Sequence, residues 1–108
     1  MEEIIVAFDC DGTLISNTNG LGREKLNIDV YHMLMLFSKM KNTKVIMWSG
    51  GGKEYAEQIV AKYGLYQYVE ACYGKQEYDE TIHGHVDICF DDMHACKLAD
   101  KNIIVRMK

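Results

Sequence analysis

Proline is absent from the 108 residues, where average usage of about 5% would supply about five. Turns must therefore be read from Gly, Asn and Asp alone. No apolar run approaches the roughly 20 residues of a membrane span, so no membrane partner is expected. A basic excess is missing too. Twelve Lys and Arg face 16 Asp and Glu, for a net charge of −4, which disfavours nucleic acid as a partner, since that wants a basic face. A local basic patch stays compatible with that balance. CxxC spacing is lacking among the four cysteines, Cys10, Cys72, Cys89 and Cys96. An even count permits disulfides, but Cys89 sits in an apolar, strand-like run and no signal-type segment opens the sequence. Reduced thiols and a cytoplasmic location are expected. There is no repeat, low-complexity tract or linker, so residues 1–108 are expected to form a single domain.

What is present is ordinary for a globular protein, with 48% hydrophobic and 26% charged residues. A chain this long buries roughly 60–70% of its unfolded surface, enough for one modest core without staples. Residues 3–8 are short, β-branched and unalternating, which predicts a strand buried on both faces and stopped by Asp9. Residues 12–25 contain Asn19-Gly20 and predict a loop or small hairpin. Ile28, Tyr31, Leu34, Met35 and Phe37 predict a helix over 28–41 with Asn27 as N-cap. A second buried strand, 44–48, runs into Ser49-Gly50-Gly51-Gly52. A helix over about 53–63 follows, with Ala56, Ile59, Val60 and Tyr63 on one face and Gly64 as its stop. A weaker strand, 68–73, a polar connector, 74–85, a strand, 86–90, a short helix, 93–100, and a last strand, 103–105, complete the pattern.

Strands alternating with helices imply an α/β fold. We expect a three-layer, Rossmann-like, mainly parallel sheet of about five strands in the order 5-4-1-2-3, with helices on both faces. Right-handed crossovers put every strand's C-terminal end on one edge, where such sheets bind ligands. Three strands end there in polar clusters: Asp9/Asp11, Ser49 with its glycines, and Asp91/Asp92. Paired carboxylates repel and are costly to desolvate, so a pair at a buried strand end calls for a cation or a task.

The run Phe8-Asp9-Cys10-Asp11-Gly12-Thr13-Leu14, then Val45-Ile46-Met47-Trp48-Ser49-Gly50, then Lys75, then Ile88-Cys89-Phe90-Asp91-Asp92 resembles the haloacid dehalogenase superfamily. The resemblance spans residues 4–105, and its first and fourth elements are the most specific. It implies a Mg²⁺-dependent phosphatase working through an aspartyl-phosphate. Asp9 would be the nucleophile and Asp11 the general acid and then base. Asp9, Asp91 and the Asp11 backbone carbonyl would ligate Mg²⁺, with Asp92 a further ligand, since Mg²⁺ prefers hard oxygens. Ser49 and the Gly50 and Gly51 amides would bind the substrate phosphate at a helix N-terminus. Lys75 would neutralise charge on the phosphate and the nucleophile.

Each residue also has a plainer reading. The DxDGT run can be a turn with solvated carboxylates, and Ser-Gly-Gly-Gly a strand-to-helix loop. Lys75 can be a surface lysine, with Lys53 its competitor for the phosphate. Asp87 reads as structural. His83-Gly84-His85 reads as a polar loop without acidic partners at ligand spacing rather than a zinc site. Cys10 should point away from the metal because strand directions alternate. Trp48, the seven tyrosines and the Met-rich run 33–40 read as core or rim.

The sequence departs from the resemblance in two respects. Only about 30 residues lie between Thr13 and the second strand, and one helix uses half of them, so a cap domain has no room. The lysine is also not followed by proline. A capless site suits a phosphoprotein or a nucleic-acid end, the latter less favoured by the acidic net charge, or a small phosphorylated molecule if a second copy of the chain supplies a lid that excludes water. A phosphotransferase, or a catalytically silent module that keeps the metal and phosphate sites, are the alternatives. A receiver-type signalling domain would place its acidic pair and its phosphorylated Asp in a different order.

Overall fold

The computed structural model describes residues 3–16, 24–92 and 99–106. β1 (Ile4–Asp9) lies at the centre of the sheet. It pairs in parallel with β2 (Thr43–Ser49) on one side and β4 (Ile88–Asp91) on the other. β3 (Ala71–Gly74) extends the sheet beyond β2, and β5 (Lys101–Ile104) beyond β4, also in parallel. The order is β3-β2-β1-β4-β5, the expected five-stranded α/β arrangement seen from its other edge.

The unalternating apolar runs of β1 and β2 follow from cover on both faces. Val6, Phe8, Val45, Met47 and Phe90 meet α1 (Ile28–Ser38) and α2 (Lys53–Lys62) through Val30, Leu34, Ala56, Ile59 and Val60. Phe8 stacks on Phe90 at 4.6 Å, and Phe37 of α1 meets both rings edge-on. On the opposite face, Ile5, Ala7, Ile46, Trp48 and Cys89 pack with Val86 and Ala99, flanked by Tyr73 and Tyr78. The one-turn helix α3 (Glu80–His83) lies alongside, with the His83 ring 4.6 Å from that of Tyr73.

Several boundaries differ from expectation, each for a local reason. Asn27 caps α1 through Val30 N, as predicted. The helix ends at Ser38 rather than 41, because the chain must turn to start β2; Asn42 takes a φ of +57° in that turn. α2 stops at Gly64, whose φ is +65°. β3 starts later than predicted because the Leu65 carbonyl collects Tyr68 N and Val69 N into a turn. The polar connector contains a 3₁₀ turn, Lys75–Glu77, and then α3. β4 begins at Ile88 instead of residue 86. Asp87 pairs with Ile5 nonetheless, accepting Ile5 N on its carboxylate at 2.8 Å and donating its own amide to Ile5 O at 2.9 Å. β5 runs over 101–104, earlier than the predicted 103–105.

The loop after β1 returns as a small hairpin stem. Ser16 N donates to Lys25 O at 2.8 Å and Asn27 N to Leu14 O at 2.7 Å. Leu14 and Ile15 are fully buried. The predicted Asn19-Gly20 turn and most of the predicted helix over 93–100 lie outside the described residues, as does Cys96. Cys10, Cys72 and Cys89 are free thiols. Among the described residues, no helix is long and apolar enough to cross a membrane.

Candidate functional site

Ala7 pairs with Cys89 and Phe8 with Phe90. Continued by one step, that register sets Asp9 beside Asp91 at the C-terminal edge. Both are buried, at 4% and 3% exposure. Parity places them on the pleat face of Ile5 and Ala7, the face over which the 75–87 connector runs. Lys75, first residue after β3, therefore reaches them from that side. Its Nζ lies 2.9 Å from Asp9 Oδ1 and 2.6 Å from Asp91 Oδ2. Asp92 completes a group in which one carboxylate oxygen each from Asp9, Asp91 and Asp92 lie within 4.8 Å of one another.

Among the described residues, Lys75 is the ammonium that faces Asp9 and Asp91. Burial pushes the Asp9 carboxyl well above the ordinary carboxylate range, against the pull of Lys75, and the neighbouring Asp91 and Asp92 add to it. Burial and the adjacent Asp91 push Asp92 up as well. Burial opposes the charge of Lys75, but hydrogen bonds to Asp91 and Asp9 outweigh it and hold the lysine protonated beyond its usual range. Both partners of the Lys75–Asp9 pair thus move upward. The pairing favours the charged lysine, and burial pushes Asp9 toward its neutral form. Three carboxylate oxygens this close are hard donors that could hold a metal ion.

The rest of the DxDGT run turns sharply. Gly12 has a φ of +80°, and a Cβ built on it would stand 2.2 Å from Asp92 Oδ2. The position needs glycine for its conformation and for the approach of Asp92. Thr13, fully buried, donates its hydroxyl to Asp9 Oδ2 at 3.3 Å. The Asp11 carboxylate leaves the acidic group and accepts the Tyr55 hydroxyl at 2.6 Å. Cys10 points away from the carboxylates, as strand alternation predicts, with Sγ 3.7 Å from Trp48 O. Burial pushes its thiol far up, which makes it inert as a nucleophile.

Ser49, buried at 3% exposure, ends β2 one residue past Trp48, the register partner of Asp9. Its Oγ accepts Gly51 N at 2.9 Å and its carbonyl accepts Gly52 N at 3.2 Å. The Gly51 amide is thus engaged inside the turn, while Gly50 is exposed. Gly52 is the N-cap of α2 and brings no side-chain cap. Gly74 and Gly52 approach closely, a Cβ on Gly74 reaching 3.3 Å from Gly52 Cα, so the starts of α2 and of the Lys75 segment abut.

Asp9, Lys75, Asp91 and Asp92 therefore converge, with Ser49, Gly50 and Gly51 at the neighbouring strand end and Asp11 turned toward α2. Lys53, the competing lysine, is the exposed first residue of α2. Asp87 is a sheet-pairing residue. His85 does have acidic partners, contrary to the sequence reading: Glu80 at 2.8 Å on Nδ1 and Asp100 at 2.8 Å on Nε2. Tyr55 was not singled out by the sequence; Thr13 belongs to the DxDGT run, but its bond to Asp9 was not foreseen. Tyr55 falls beside the apolar stripe of α2, and only its one-turn distance from the glycines marked it. A separate cleft of about 490 Å³ lies between the start of α1 and the end of β5, lined by Lys25, Asn27, Val105 and Arg106 among others. None of the acidic cluster lines it.

No family model and no curated protein matches the sequence. A chain in the solved structure of the Pnkp1/Rnl/Hen1 complex is similar to it, with a TM-score of 0.60 and 24% identity. The match covers 96% of this chain and 46% of that one, so this chain spans less than half the neighbour's length. At that identity the likeness is one of fold: the five-stranded parallel sheet has a counterpart in a solved assembly.

Proposed function

We propose that the chain is a capless phosphatase of the haloacid dehalogenase type, hydrolysing phosphomonoesters through an aspartyl-phosphate on Asp9. The observation that carries this reading is Lys75 Nζ held between Asp9 and Asp91 with Asp92 beside them. Asp9, Asp91 and Asp92 would hold Mg²⁺, with the Asp11 carbonyl as the resemblance implies, and the ion would supply the charge neutralisation that phosphoryl transfer requires.

The chain's own groups divide the remaining work. An Asp9 carboxylate oxygen attacks phosphorus, the ester P–O bond breaks, and Asp11 gives its proton to the departing oxygen. Water then attacks the phosphoaspartate, the P–O bond to Asp9 breaks, and Asp11 takes the water's proton. Lys75 and Thr13 fix the Asp9 carboxylate from either oxygen, so the nucleophile is oriented before substrate arrives. Ser49 accepts the Gly51 amide, which leaves its hydroxyl hydrogen to donate to a phosphoryl oxygen.

The substrate is a phosphorylated small molecule or a phosphoprotein. The lack of room for a cap domain between Thr13 and β2, and the assembly in which the solved neighbour occurs, both fit a core whose lid comes from another chain, a second copy included. The test is hydrolysis of p-nitrophenyl phosphate with and without Mg²⁺, in the parent chain and in Asp9→Asn. Mg²⁺-dependent turnover that the substitution lowers at least about a thousandfold supports the reading. Turnover that survives in Asp9→Asn removes Asp9 as nucleophile and overturns it.

A further inference from the structure

Tyr55 stands in the first turn of α2 and touches both halves of the site. Its hydroxyl donates to Asp11 Oδ1 at 2.6 Å. Its ring lies over the phosphate-side turn, where a Cβ on Gly51 would be 3.4 Å from both Tyr55 Cδ2 and Ser49 Oγ. Gly51 N in turn bonds Ser49 Oγ. A rigid aromatic ring therefore spans from the serine-glycine turn to the acid.

The consequence for Asp11 is positional. Two residues after Asp9, a free carboxylate would turn toward the same cation-hungry cluster and become one more ligand. The Tyr55 hydroxyl gives it a different partner on the side of α2, clear of Asp9, Asp91 and Asp92. That is where a group must stand if it is to meet the leaving oxygen, which departs opposite the attacking Asp9 in an in-line displacement. A neutral phenol suits this work. Its hydroxyl is the donor in the 2.6 Å bond to Asp11.

We propose that Tyr55 is a positioning residue that holds Asp11 off the metal cluster and aims it at the leaving group, registered to the phosphate turn by its ring. The proposal rests on the phosphatase reading above and assigns that reading a residue outside its motifs. A general acid matters more the poorer the leaving group, and kcat/KM reports the step in which that group departs. A phenyl phosphate therefore depends on Asp11 more than a p-nitrophenyl phosphate does.

The experiment compares kcat/KM for p-nitrophenyl and phenyl phosphate, with Mg²⁺, in the parent chain, Tyr55→Phe and Tyr55→Ala. Inhibition by inorganic phosphate is measured alongside. Tyr55→Phe keeps the ring and removes the hydroxyl. It should slow both substrates, with the loss on phenyl phosphate larger by about tenfold or more, while the phosphate inhibition constant stays within about twofold. Tyr55→Ala should add a weakening of phosphate inhibition, because the turn loses its backing. Equal losses on the two substrates in an active, folded Tyr55→Phe protein would overturn the positioning role and leave the phosphatase reading standing. A parent chain that hydrolyses neither substrate overturns the phosphatase reading and, with it, the role of Tyr55.

Discussion

Gly12 and Asp92 are in contact so close that neither position is independent of the other: a methyl group on Gly12 would stand 2.2 Å from Asp92 Oδ2. The φ of +80° at Gly12 compounds the constraint. Gly12→Ala must move Asp92 away from Asp9 and Asp91 and strain the turn. We expect a loss of at least about 1 kcal/mol in urea unfolding and a weaker Mg²⁺-induced rise in Tm. Full retention of the Mg²⁺ response would show that Asp92 takes no part in holding the ion.

Among the described residues, Lys75 is the ammonium that pairs with both buried carboxylates, Asp9 and Asp91. Lys75→Met leaves Asp9 and Asp91 without their shared counter-charge at 6% and 4% side-chain exposure. Stripping one partner from a buried pair costs about 3 kcal/mol, and urea unfolding without divalent ions should show it. Added Mg²⁺ should recover part of the loss through binding to the native state. An unfolding midpoint equal to that of the parent chain would place Lys75 outside the electrostatic balance of the cluster.

Ser49→Ala removes the acceptor of the Gly51 amide and the hydroxyl offered to phosphate. The expected result is a KM for p-nitrophenyl phosphate raised about tenfold, with inhibition by inorganic phosphate weakened in parallel and the Mg²⁺ dependence unchanged. A change in Mg²⁺ dependence alone would relocate Ser49 from the phosphate to the cation.

His85 gives the fold a pH dependence of definite sign. Hydrogen bonds to Glu80 and Asp100 raise it from 6.5 to about 9. A raised histidine contributes stability that is complete below about pH 6.5 and disappears as pH climbs through about 9. His85→Gln should lower Tm at pH 6 and converge with the parent protein above pH 9. The side chain is exposed, so the gap is small and added salt should narrow it. A gap that widens with pH would contradict the imidazolium assignment.

Where cover on both sides dictated composition, the sequence was readable. β1 and β2 announced themselves because every inward position on both faces is apolar, and Asp9 and Ser49 stood out as the first polar residues past that cover. Asp91 was readable for the same reason at the end of β4. Lys75 was the preferred candidate in the sequence, with Lys53 its competitor. The two are separated by which pleat face carries Asp9, a consequence of register and crossover. Tyr55 was hidden because its partner lies in space: it finds Asp11 from 44 residues away, and on a helix wheel its ring passes for core. His85 was misjudged for lack of acidic neighbours, since one of its carboxylates arrives from α3 and the other from the approach to β5. Asp87 masked the start of β4 by replacing a strand bond with a side-chain one.

Trp48 is the single tryptophan of the chain. It is buried at 3% exposure, meets Tyr78 edge-on at 5.4 Å, and precedes Ser49 directly. The connector that contributes Tyr78 also delivers Lys75. The protein therefore carries its own optical gauge at the floor of the candidate site. Indole emission, read without any label, tracks whether the Lys75 segment is seated on the sheet, and a titration with metal or phosphate can be followed in native protein at micromolar concentration by that one signal.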